Sequence, residues 1–163
     1  MSFIHSPGEL KNQLVQYFTN DYATFMAQVD SRWNDGTVLP TVADIFLGDA
    51  TKTKEIKQYP TVAILTGDVF PIERVQQFSN TQWQTGIFIR TFLRHSNLST
   101  LEKYLDRTLE AQLKMFESDP YNHLSGLAKS FEFMRAEPTD SWNPPGATLY
   151  VRCLETQWEC QHT

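Results

Sequence analysis

The sequence predicts an α+β fold: a mainly antiparallel sheet of about four to five strands with two main amphipathic helices laid on one face. Two stretches place apolar residues at steps of three and four, the spacing of a helix with one buried side. Several others are rich in β-branched and aromatic residues and alternate with period two. The order is helix, an ambiguous segment, two or three strands, helix, two strands, with no internal repeat, low-complexity tract or linker, so residues 1–163 are read as a single domain.

The first helix starts in "SPGELK". Ser6 is a good N-cap, Pro7 suits the first helical position and Glu9 completes a capping box. Leu10, Leu14, Tyr17, Phe18, Tyr22, Phe25 and Val29 make one apolar face, and the turn signal "NDG" predicts an end between Asp30 and Trp33. Residues 37–59 allow either a short helix or a strand followed by a loop.

"YPTVAILTGDVFP" predicts a buried strand over Thr61–Thr66, with Gly67-Asp68 turning the chain. In "RVQQFSNTQWQTGIFIRTFLRH", Ser79-Asn80 either divides two antiparallel strands or marks a bulge in one long strand. Ile87, Ile89, Thr91 and Leu93 share one face; Phe88 and Phe92 share the other with Arg90 and Arg94. A strand apolar on both faces must be covered on both, by a helix or by a neighbouring subunit.

The second helix begins at "LSTLEKYLDR", with Ser99 as cap and Glu102 closing the box. Leu101, Tyr104, Leu105, Leu109, Leu113 and Phe116 form its buried stripe, with Lys103, Asp106, Arg107, Glu110 and Lys114 mostly outside it; Asp119-Pro120 stops it. "LAKSFEFMRAEP" reads as a strand, Pro145-Gly146 fits a type II turn, and "TLYVRCLETQWEC" closes the sheet. In that last strand Tyr150, Leu154 and Trp158 lie on one face, and Leu149, Val151 and Cys153 on the other.

With 40% apolar and 13% aromatic residues the chain has material for a real core, which argues against disorder. Its net charge of −5 lacks the basic footprint of a nucleic-acid binder. The apolar runs are too short to cross a bilayer and the N-terminus has no signal-peptide pattern, so the chain is expected to stay where it is made.

No sharp catalytic motif appears. There is no GxxxxGK[ST], GxGxxG or GxSxG, and Asp in "GDA" and "TGD" reads as turn chemistry. Cys153, Cys160 and His162 lack the paired spacing of a zinc site and read as two half-buried thiols and a frayed tail. On one strand the two cysteines would lie about 23 Å apart, too far for a disulfide. Glu132 with Glu137, or Asp119 with Asp140, could be imagined as a catalytic pair, but nothing separates their environments, so they read as solvated. No enzyme activity, metal or cofactor is expected.

Trp142 stands out among Asp, Ser, Asn and Pro. Either its loop folds back over the indole, or the indole anchors an interface, with Pro144 and Pro145 stiffening the segment.

An N-terminal amphipathic helix, a "YPTVAIL" strand, a long strand pair, a charged amphipathic helix, a proline-rich loop and a last strand together resemble the tail terminator (tail completion) proteins of long-tailed bacteriophages, over roughly residues 6–159. The segment "GDATKTKEIKQY" does not match the pattern.

The resemblance implies a structural virion protein, not an enzyme. It implies a homo-hexameric ring in the tail or neck, assembled in the host cytoplasm, that caps the tail tube protein and meets the head-tail connector protein. DNA would pass through without specific binding, as an acidic channel would permit, and no membrane is involved. On that reading Trp142, Pro144, Pro145, Phe88 and Phe92 are interface residues, and Asp119 and Asp140 face the channel. The other readings are a different neck component (a head-tail connector or sheath completion protein) and a small enzyme or ligand-binding domain.

Overall fold

The computed structural model describes residues 4–48, 56–72, 81–139, 143, 146 and 148–163. It is α+β, as the sequence predicts. Helices α1 (Pro7–Asn20), α2 (Tyr22–Trp33) and α3 (Leu98–Phe116) accompany strands β1 (Asp44–Leu47), β2 (Thr61–Pro71), β3 (Trp83–His95), β4 (Ser130–Pro138) and β5 (Tyr150–His162). The sheet order is β1-β2-β3-β5-β4. Among the described strands only β1 runs parallel to its neighbour; the other three pairings are antiparallel. The ambiguous segment therefore contributes a short strand, although 49–55 lie outside the described residues, as do Ser79 and Asn80.

The capping box forms as read: Ser6 Oγ accepts from the Glu9 amide at 3.3 Å, and the Ser6 amide donates to Glu9 Oε2 at 2.6 Å. The predicted single helix is, however, two. Thr19 Oγ1 donates back to the Val15 carbonyl at 2.7 Å, and Asp21 has φ −116° and ψ −29°. Thr, Asn and Asp compete for backbone hydrogen bonds and hold helices poorly, so the chain bends there without losing its apolar side. Leu10, Leu14, Tyr17 and Phe18 are buried on α1, and Tyr22, Met26 and Val29 on α2.

Helix α3 starts two residues earlier than a Ser99 cap would give, because Asn97 is the cap and its Oδ1 accepts from the Thr100 amide at 3.1 Å. Glu102 closes no box; it forms an ion pair with Arg152 on β5. The burial of α3 also differs from its leucine stripe. Leu101, Leu105 and Phe116 are buried, but Leu109 and Leu113 are only half-buried. Arg107, expected outside, is 3% exposed. The segment after α2 brings Asp35 to it; the guanidinium makes a bidentate ion pair with the carboxylate, one arm at 2.9 Å, and bonds the Thr37 carbonyl at 3.2 Å. The Arg107 hydrogen bonds, then that from the Thr37 amide and, more weakly, that of Lys103, hold the Asp35 carboxyl well below the usual carboxylate range.

The main core lies between the helices and one face of the sheet, where Val62, Ile64, Ile87, Ile89, Phe131, Trp158 and Cys160 meet α1 to α3. A polar link is buried inside it: Gln112 Nε2 donates to Thr91 Oγ1 at 3.1 Å, and Thr156 Oγ1 donates to Gln112 Oε1 at 2.8 Å. Each group is partnered, so its burial is tolerated and α3 is held in one position over β3 and β5.

The C-terminus is not frayed. Strand β5 continues to His162, which pairs with Trp83 and is 1% exposed. His162 Nδ1 lies 2.8 Å from the His5 carbonyl, so it must carry the proton; Nε2 then accepts from Thr85 Oγ1 at 2.7 Å. Burial, the largest cause, pushes the pKa of His162 below its ordinary 6.5. A histidine held neutral in the fold contributes its full stability above the unfolded pKa. That contribution is lost as pH falls from about 6.5 through the depressed folded value. Stability in urea is expected to decline across that interval, and His162→Gln is expected to flatten the decline. Urea melts of both proteins from pH 8 to pH 5 check this.

Candidate functional site

The face of the sheet away from the helices is divided. Around Ala63, Phe92 and Cys153 it is closed by residues of the same chain, Phe46, Ile56, Tyr59 and Leu65. Phe92 is 2% exposed there. It was expected at an interface; its own chain already covers it, because the segment leading into β2 folds back over this end of the sheet. Arg94, on the same side, stacks over the Tyr59 ring at 4.6 Å.

The other end of that face is a shallow trough lined by Asp68, Phe70, Gly86, Phe88, Arg135 and Gln157. Strand β2 creates it by continuing where a turn was expected. Pairing with β3 breaks after Thr66↔Ile87 and resumes at Val69↔Thr85, so Gly67 and Asp68 form an irregularity inside the strand. Phe88 is half-buried, with its ring over Gly67; a Cβ there would sit 2.4 Å from Phe88 Cε2. Glycine is what lets the ring lie flat on the sheet.

Charges flank the trough. Arg90 Nε bonds Glu155 Oε2 at 2.6 Å, and Gln157 donates to Glu155 Oε1 at 2.9 Å. Burial pushes the Glu155 pKa up, but the bonds from Arg90 and Gln157 outweigh it and leave the group below its ordinary value. Arg135 and Glu137 pair at 3.1 Å, both largely exposed. Such a surface offers apolar area and paired charges, which suits binding rather than proton transfer.

Cys153 and Cys160 are buried on opposite faces of β5, and burial pushes the Cys160 thiol up to about 12. Among the described residues no group of three or more His, Cys, Asp or Glu could hold a metal ion. No helix there is long and apolar enough to cross a membrane.

Asp119 is exposed, between α3 and the 3-10 turn Tyr121–Gly126. Trp142, Pro144, Pro145 and Asp140 lie outside the described residues. Sequence reasoning missed four exposed apolar residues on the two edge strands: Phe70 and Met134, which line the trough, and Val69 and Phe133. Two signals pointed to them, "VFP" after a presumed turn and "FEFM", where Phe133 and Met134 put apolar side chains on both sides of a strand.

No family model matches the chain, and no curated protein matches it. Among solved structures it is similar to a chain of the "Virion of native gene transfer agent (GTA) particle". The identity is 10%, with 93% of this chain and 91% of that chain covered, at a TM-score of 0.36. A likeness this small carries no argument about function.

Proposed function

We propose that this chain is a structural virion protein, a tail terminator whose copies form a ring on the finished tail tube and present the other side of the ring to the head connector. The observation that carries the reading is the half-bare second face of the sheet. The helices occupy one face, and among the described residues the chain covers only part of the other. Phe88, Phe70 and Met134 are left around an open trough beside Arg135 and Glu137. Apolar surface of this kind, rimmed by charge, marks a site for another protein. A repeated contact between unlike patches closes into a ring when its rotation allows. The order of elements supports the same reading through its resemblance to tail terminators. Stopping tube growth requires only a ring that matches the tube on one side and refuses another tube ring on the other.

Light scattering of the protein alone and with tail tube tests this. A multimer, or one that forms on the tube, is expected, and tails made without the protein should overrun their normal length. A strict monomer that never joins the tube overturns the reading. Tails of normal length that fail to join heads would assign the chain to a different neck component.

A further inference from the structure

Among the described residues the sheet has two unpaired edges that run in opposite directions, and we propose that copies join through them: the free end of β2 in one copy pairs antiparallel with β4 of the next. This rests on the ring reading and specifies how its contact is made. Strand β1 pairs only with Thr61–Ile64, so among the described residues no strand flanks Leu65–Pro71 on its outer side. No described strand lies beyond β4 on the opposite edge. Unpaired edges are templates for another strand, and natural proteins usually blunt them with charge or cover.

Beside their charges, both edges here expose large apolar side chains: Val69 at 37% and Phe70 at 46% on β2, Phe133 at 39% and Met134 at 55% on β4. The directions agree. Strands β2 and β3, β3 and β5, and β5 and β4 are antiparallel, so β2 and β4 run oppositely. Two copies placed side by side in the same orientation therefore bring β4 against β2 as an antiparallel pair, continuing the alternation already in the sheet. The free stretches are also level. Thr66 is linked through Ile87 and Trp158 to Phe133, and Val69 through Thr85 and Cys160 to Phe131. Pro71 and Pro138, which cannot donate to a ladder, lie at the ends of their strands. A second copy of this chain supplies both edges at once. Because the two edges differ, the contact is heterologous and can close a ring.

Asp68→Cys and Glu132→Cys, which lie level through Gly86 and Glu159, prepared separately, mixed and treated with a short bismaleimide, test the pairing. Both positions are exposed, and the native thiols are buried. Cross-linked dimers are expected in the mixture and not in either variant alone. Phe70→Lys should raise the concentration needed for assembly at least tenfold while leaving the monomer's urea melt unchanged. If light scattering shows multimers but the mixture does not cross-link, or if one variant cross-links by itself, the edge pairing is wrong and the ring reading stands. If no multimer forms with or without tail tube, both fail.

Discussion

Trp158→Ala is expected to destabilise the fold by about 3–5 kcal/mol, the range for removing a large aromatic from a packed core. The indole is 3% exposed and stacks on Phe131 at 4.9 Å with planes 7° apart. Phe116 and Phe133 meet it edge-on at 4.8 Å and 5.4 Å. These rings come from α3, β4 and β5, so one side chain ties the helix layer to the edge of the sheet. Its Nε1 also donates to Thr156 Oγ1 at 2.8 Å, the hydroxyl that holds Gln112. Alanine would open a cavity and loosen that link together. Trp158→Phe keeps most of the ring packing and should recover a good part of the loss. Urea unfolding followed by far-UV circular dichroism measures both; a cost for alanine below about 1 kcal/mol would be the value of a surface site and would contradict this packing.

Leu105→Ala should cost about 2–5 kcal/mol, because Leu105 is 3% exposed among Leu93, Leu101 and Leu154. Leu109→Ala should cost closer to 1 kcal/mol, since a half-buried side chain removes less apolar surface from water. The leucine stripe by itself predicts equal losses for the two. The difference arises because α2 packs along one flank of α3. That flank carries Arg107 into cover beside Asp35 and turns Leu109 partly outward. Glu110 lies near the same flank, bonded by Arg32 at 2.5 Å and 2.6 Å and by the Trp33 indole at 3.0 Å. As a surface pair its removal should cost within about 1 kcal/mol. Melts of the three variants under one condition give the order Leu105, then Leu109 and Glu110; equal effects would mean the helix is rotated from the position described.

Local chemistry was legible in the sequence. The Ser6–Glu9 box, the apolar side of the first helical stretch and the two faces of β3 all follow from spacing, because caps depend on residues three apart and pleated strands alternate whatever surrounds them. The α+β class followed from the order of those elements. Tertiary structure decided what a neighbour can change. The strand that runs through Gly67-Asp68 and the ordered β5 terminus each depend on a partner distant in sequence. Arg107 is the clearest case: periodicity assigns a charge to solvent, and only the arrival of Asp35 makes its burial favourable. The candidate site divides the same way. That Phe88 and Phe92 share a face is a property of the strand. That Phe92 is covered while Phe88 borders an open trough depends on where the segment before β2 comes to rest, and period-two alternation carries no information about that.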